Sequence, residues 1–391
     1  MTRRGSFSTG ARLLILASAL TSLATSAQAA KLVVDDDRVE CPQAGFTTIQ
    51  SAIDSLGSDA TGTIMVCPGS YKESITVAVA HKLKLIGKRG AVIVPEFIPN
   101  NSTVISVQFS TDFTIRGFTI DGLGNDGTAD NGAAVALEFV HSSGTIQNNT
   151  IQNWHTLDFA TPANGLNAIH LINDDGEAVK VVNNTITQFQ TTAILAEGAS
   201  TLKISGNDIT TPSTPANTAT GIFVRSTASG PPSGSITSNT LTSDSFPGGS
   251  SSIGIRVEES GNFLISHNRL THWDFGMYLP SFCTSTPHAD DDRITSNTIK
   301  EASIGIEVES FGVSCDAFAD GYRITGNRIT NSAALGDTAI FIRARGTNAQ
   351  GSAQNELVTG NTIVNFSDPV SHTAEFNGVI SGVFEPNRIS A

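Results

Sequence analysis

A short phrase, apolar–x–x–Asn–x–Ile/Leu, recurs from Ile146 to the C-terminus, on Asn149, Asn184, Asn207, Asn239, Asn268, Asn297, Asn327, Asn361 and Asn387. Ile146-Gln-Asn-Asn149-Thr-Ile151 and Ile294-Thr-Ser-Asn297-Thr-Ile299 are two copies, and successive asparagines lie 23 to 35 residues apart. Repeats of that length mark a solenoid. Short β-branched runs with alternating apolar residues, broken by Asn and Gly, read as strands and tight turns rather than helices. An asparagine at the same turn of every coil can hydrogen-bond to its equivalents above and below, so that its polar groups are buried without being left unsatisfied.

A second phrase, Gly/Ala–apolar–x–apolar–x, lies between the asparagines. It appears as Ala168-Ile-His-Leu171, Ala193-Ile-Leu-Ala196, Gly221-Ile-Phe-Val224, Gly254-Ile-Arg-Val257, Gly276-Met-Tyr-Leu279, Gly305-Ile-Glu-Val308 and Ala339-Ile-Phe-Ile342. Strand alternation sends its apolar members inward and its x positions outward. One outward column then reads His170, Leu195, Phe223, Arg256, Tyr278, Glu307, Phe341, and the other Ile172, Glu197, Arg225, Glu258, Pro280, Glu309, Arg343. The second column alternates in charge and suits a surface ladder of ion pairs. The first suits a sugar, whose C–H faces stack on aromatic rings while charged groups bind its hydroxyls.

The expected fold is all-β: a right-handed, single-stranded parallel β-helix of about ten or eleven coils, with a short N-terminal capping helix. Residues 46–56 carry Phe46, Ile49, Ile53 and Leu56 on one helical face, and Thr47 and Gln50 have capping-box spacing. Such a helix would cover the open end of the first coil. Residues 1–29 read as an export signal, with Arg3, Arg4 and Arg12 before an apolar run and Ala27-Gln28-Ala29 at the cleavage point. Residues 30–80 read as the cap and first coils, and residues 81–391 as the β-helix.

Removing the signal takes three of 23 basic residues and none of 36 acidic ones, moving the net charge from −13 to −16. That opposes nucleic acid and anionic membrane as partners. No later run is apolar for the roughly 20 residues a membrane span needs. A secreted monomer, extracellular or periplasmic, with a polysaccharide or glycan partner is expected. Four cysteines fit an oxidising compartment. The expected pairs are Cys41–Cys67, bracketing the cap, and Cys283–Cys315, at similar places in successive repeats.

The run Cys67-Pro-Gly-Ser-Tyr-Lys-Glu73 to Leu85-Ile-Gly87 resembles the opening of right-handed parallel β-helix proteins of the pectin-lyase-like superfamily. That resemblance implies three parallel sheets wound into a rod, often with a sugar-binding groove along one face. Its known activities do not carry over residue by residue. The Gln-Asp of pectin methylesterases is missing, as are the Gly-His-Gly and Arg-Ile-Lys blocks of polygalacturonases. Pro287-His288-Ala289-Asp290 is similar to the Asp-Pro-His-Asp block of mannuronan epimerases but lacks its first Asp.

Two long insertions, about 281–292 and 310–322, follow Tyr278 and Glu307, and long connections are where function concentrates. The candidate catalytic set is Glu307, Tyr278, His288 and Arg256, with Phe223, Glu258, Glu309, Phe341 and His170 as substrate-binding residues. Glu307 and Glu309 with a loop aspartate fit a glycoside hydrolase. Tyr278 or His288 as base or acid, with Arg256 at a substrate carboxylate, fit a polysaccharide lyase or epimerase. Asp290, Asp292 and Asp316 could hold calcium instead, which takes oxygen ligands. A non-catalytic surface, adhesion or structural rod is the alternative. Trp154, Phe189, Trp273 and Phe366, each five residues past a ladder asparagine, should pack at one corner, with Trp154-His155 and His272-Trp273-Asp274 as a further sugar site.

Overall fold

The structure, a computed structural model, describes residues 30–95, 103–122, 135–155, 166–211, 219–243, 252–259, 261–282, 291–312, 316–332 and 336–390. Most coils contribute three strands, and in the last ones Gly336–Thr359 and Phe366–Val383 run through the first and second positions as single strands. Asn167–Ile172, Glu177–Val182 and Thr185–Phe189 are the first, second and third strands of one coil. Equivalent strands of successive coils pair in parallel throughout, and the third strands alone form a twelve-stranded sheet.

The register keeps like residues in line. Leu137, Ile169, Ile194, Ile222, Ile255, Met277, Ile306 and Ile340 stack inside the first strands. Ile146, Val181, Ile204, Ile236, Ile265, Ile294, Ile324 and Val358 do so in the second. These columns are fully buried and form one continuous core.

The bend between second and third strands is where the asparagines sit. The residue before each of the eight from Asn149 to Asn361 takes a left-handed conformation, while Asn387 follows Pro386: Asn148, Asn183, Ser238, His267 and Ser296 have φ of 53 to 58°, and Gly206, Gly326 and Gly360 have φ of 66 to 68°. Left-handed backbone costs an L-residue about 1–2 kcal/mol. The ladder supplies the compensation. Asn239 Oδ1 accepts from the backbone N–H and the Nδ2 of Asn207, both at 2.9 Å, while Asn239 Nδ2 donates to the Ile204 carbonyl and to Asn268 Oδ1, both at 3.0 Å. The same pattern runs from Asn149 to Asn387.

The cap differs from the sequence expectation. Its helix is Ile49–Asp54, not 46–56, and the N-cap is Thr48, whose side chain accepts from Ser51 N–H. Phe46 is drawn into an extended bridge with Val34, which delays the first helical turn. The Glu73 carboxylate then takes the free N–H groups of Ile49 and Gln50 at 2.8 and 2.9 Å, satisfying the helix start. The Gln50 side chain instead bonds Asp54 and the backbone at Thr76. Ile49, Ala52 and Ile53 close the core at this end. Cys41 and Cys67 form the expected disulfide, whereas Cys283 and Cys315 lie outside the described residues.

Of the four expected corner aromatics, Trp154 pairs in register with Phe189, Trp273 is buried with its indole N–H on the Leu241 carbonyl at 3.1 Å, and Phe366 opens a strand paired with Gly336. Trp154 and Trp273 therefore face the core, and their rings are closed to a sugar. Among the described residues, no helix is long and apolar enough to cross a membrane.

Removing one rung strands several buried polar groups at about 1–3 kcal/mol each. Asn239→Ala should therefore lower unfolding free energy by roughly 3–5 kcal/mol in denaturant titration, and the half-buried terminal Asn387→Ala by clearly less. Equal, small losses at both positions would show that the ladder is incidental.

Candidate functional site

The outward columns of the first strands form as the alternation requires. His170, Leu195, Phe223, Arg256, Tyr278, Glu307 and Phe341 are neighbours on consecutive coils. Ser371 extends the column at one end and Glu138 and Ser106 at the other. Ile172, Glu197, Arg225 and Glu258 follow one another beside it, as do Pro280, Glu309 and Arg343.

The centre of this face is a linked set of charges and rings. The Arg256 guanidinium lies 4.6 Å from the Phe223 ring centre and 5.6 Å from that of Tyr278, and it pairs with Glu258. Tyr278 OH donates to Glu309 Oε2 at 2.8 Å. Glu309 also lies 3.7 Å from Arg343 and 3.6 Å from Arg345, and both arginines pair with Glu375 at 3.0 Å. Arg343 covers Phe341 at 5.7 Å, and Arg345 covers Phe311 at 5.5 Å. The half-buried rings thus carry arginines on faces that the sequence had reserved for sugar.

Glu307 and Glu309 are two residues apart on one strand and project to the same side, about 7 Å apart along the chain. Both are buried, at 4 and 7% exposure. Burial, with the Glu309 charge adding to it, pushes the Glu307 carboxyl from the usual 4.5 up to about 7, although Arg345 opposes the shift. Burial and the same glutamate push the Tyr278 phenol well above its ordinary value. Glu258 is raised by burial despite Arg256 and Arg225. The arrangement places a carboxyl that holds its proton near neutral pH beside one ringed by a phenol and two guanidinium groups.

His170 belongs to a different part of the face. Four coils separate it from Tyr278, about 19 Å at 4.8 Å per coil. There it bridges Glu197 at 2.5 Å and Glu138 at 3.7 Å, and Arg225 Nε reaches the same Glu197 at 2.6 Å. The hydrogen bond from His170, with Arg225 alongside, lowers the Glu197 pKa.

The long insertions start as sheet rather than loop. The strands Phe275–Phe282 and Ile304–Gly312 run past the repeating phrase, pairing Ser281 with Ser310 and Phe282 with Phe311, and Phe311 with Arg345. This extension forms a wall beside Glu309 and delivers Phe311, Arg345 and Glu375, which the five-residue phrase could not indicate. Glu138 could have been found, because Ala136-Leu-Glu-Phe139 fits that phrase. Asp292 is buried with Oδ1 on the Phe263 N–H at 2.6 Å, and Asp316 is exposed. His288 and Asp290 lie outside the described residues. Among the described residues, ligand atoms converge within 4.8 Å of one another at His141, Asp175 and Glu177, and at Asp35, Asp36, Asp37 and Glu40; neither group includes the expected calcium aspartates.

These coils, ladder and outward columns define a parallel β-solenoid built to display side chains along a rod. The chain belongs to the right-handed β-helix region family, whose profile matches residues 103–278 and 167–365. A search of curated proteins found no match. Among solved structures, the chain is similar to the tailspike protein of E. coli bacteriophage HK620 in complex with a pentasaccharide, at 13% identity and a TM-score of 0.59. A mutant of that tailspike with pentasaccharide gives 14% and 0.62, and one with hexasaccharide 13% and 0.57. Each alignment covers 88% of this chain but only 62% of the tailspike. This likeness establishes the fold.

The Glu307 shift carries a stability signature. Its folded pKa lies above the unfolded value, so the folded state binds the proton more tightly and stability falls as pH rises from about 4.5 to about 7. Glu307→Gln should lack the Glu307 share of that fall, while Glu258 and Glu356, also raised by burial, keep theirs. By pH 8 it should be more stable than the unsubstituted protein by on the order of 2–3 kcal/mol, as read from denaturant midpoints across pH. A difference between the two proteins that stays constant over that window would contradict the burial of an acid at this position.

Proposed function

We propose that this chain is an exported carbohydrate-binding β-helix protein whose polymer lies along the first-strand face and is cleaved at Glu307. The observation that carries this reading is the Glu307–Glu309 pair. Glu307 keeps a proton near neutrality because it is buried beside another carboxylate, as a general acid to a glycosidic oxygen requires. Glu309, placed by Tyr278, Arg343 and Arg345, is the partner carboxylate for a water or a sugar carbon. Arg256 and Phe223 extend the binding strip to one side and Phe341 to the other.

Two further observations support it. A tailspike with the same fold has been solved with penta- and hexasaccharides bound. The Cys41–Cys67 disulfide fits an oxidising compartment outside the cytoplasm. The second reading, a non-catalytic glycan-binding or adhesion rod, is favoured by the arginines that already lie over Phe223, Tyr278 and Phe341.

The test is a screen of the protein against neutral and acidic polysaccharides, with and without Ca²⁺, read by new reducing ends and by absorbance of unsaturated uronates. The account expects hydrolysis whose kcat/KM falls as pH rises through about 7, where Glu307 loses its proton. Glu307→Gln should reduce turnover by roughly 10²-fold or more while leaving the fold intact. Full activity in Glu307→Gln would remove the site assignment, and binding without turnover on any polymer would establish the second reading.

A further inference from the structure

The second strands carry an outward column of opposite character. Thr63, Lys84, Thr114, Thr145, Lys180, Lys203, Ser235, Leu264, Arg293 and Arg323 are neighbours in unbroken register. Its five cations are exposed and, among the described residues, enter no ion pair with a carboxylate. Lys82 and Arg116 flank it, and Asp112 is the acid that intrudes. At its upper end the side chains surround a groove of about 570 Å³ lined by Lys82, Lys84, Lys180 and the hydroxyls of Thr63, Thr114 and Thr145. A protein of net charge −13 has thus gathered unpaired cations along one sheet, away from the glutamates of the first strands.

We propose that this column is a second binding strip, for an anionic polysaccharide bearing carboxylate or sulfate groups. Stacked cations whose own column holds no acid, with Asp112 beside it, raise each other's energy and are relieved by an anionic ligand. Their spacing describes the ligand. Lys84 and Lys180 are three coils apart, as are Lys203 and Arg293, about 14 Å in each case at 4.8 Å per coil. Lys180 with Lys203, and Arg293 with Arg323, stand on adjacent coils. That is sparse beside the charge density of a nucleic acid, which carries a phosphate every few ångströms. The column also offers no aromatic ring on which bases could stack. Serine and threonine hydroxyls between the cations suit sugar hydroxyls instead. The strip would let the rod hold one polymer on its second face while the first face engages another stretch of glycan.

The experiment is affinity electrophoresis of the whole protein in gels containing polygalacturonate, dextran sulfate or uncharged dextran, at ionic strengths of about 20 and 150 mM. The expected result is retardation by at least one anionic polymer and none by dextran, with weaker binding at the higher salt. The stronger of the two anionic arms identifies carboxylate or sulfate as the group recognised. Lys180→Glu/Lys203→Glu should weaken that binding by roughly tenfold or more, and Lys180→Gln/Lys203→Gln by less. These side chains are exposed, and an unchanged far-UV spectrum would confirm an intact fold. Lys300→Glu, at an exposed lysine of a third strand outside the column, should bind as the unsubstituted protein does, which separates the strip from a general effect of net charge. The proposal is overturned if neither anionic polymer retards the protein, if the double substitutions leave binding unchanged, or if single-stranded DNA binds as tightly through the same lysines.

Discussion

Every ladder asparagine inside the stack meets two hydrogen-bond donors with its carbonyl oxygen and two acceptors with its amide nitrogen, and those partners belong to the coils on either side. Few side chains can do this with copies of themselves. Aspartate only accepts and would stack like charges, and serine has too short a reach to span both neighbours. Self-complementarity is what lets the same bend recur from Asn149 to Asn361, each time with a left-handed residue before the asparagine. Once that bend is held, the three strands are held in register, and everything displayed on the outside falls into columns. Insertions enter at the other turns without disturbing the stack, which is why ladder spacings range from 23 to 35 residues while the register survives.

The candidate site is a consequence of those columns. Stacking at about 4.8 Å forces side chains from distant sequence positions into contact, so whatever occupies equivalent positions must be compatible. On the first strands the result is an alternating run from Glu138 through His170, Glu197 and Arg225 to the Arg256–Tyr278–Glu309 centre. Opposite charges satisfy one another along most of that run. Glu307 is the departure: it is buried beside a glutamate, and its desolvation is not cancelled by Arg345. On this face burial therefore raises the Glu307 carboxyl furthest, with Glu258 raised two coils away, and perturbed carboxyls in such positions often serve function. The second strands segregate the other sign, giving the rod two electrostatically distinct faces.

Much of this was legible from the residues. The asparagine phrase predicts the ladder, and the Gly/Ala phrase predicts both first-strand columns, because strand alternation and a fixed repeat leave little freedom. What escaped has specific causes. The cap helix is short because Phe46 pairs with Val34, a long-range contact that local spacing cannot show. Arg345, Phe311 and Glu375 were missed because their strands continue beyond the repeating phrase, where periodicity gives no signal. The rings of Phe223 and Tyr278 looked open in the sequence, but one arginine on the coil between them covers both. The lysine column had a signal that went unread: from Thr145 to Arg323 its members are the residues immediately before the apolar position of each asparagine phrase.

The central claim is that the first-strand face, at Glu307, is where a glycan is held and cut. The most direct measurement is the structure of Glu307→Gln with an oligosaccharide taken from a polymer that the protein binds. The account predicts sugar along the column from Phe223 to Phe341, with a glycosidic oxygen within hydrogen-bonding distance of the side chain at position 307. An oligosaccharide seated elsewhere on the rod, with this face unchanged and empty, would contradict it.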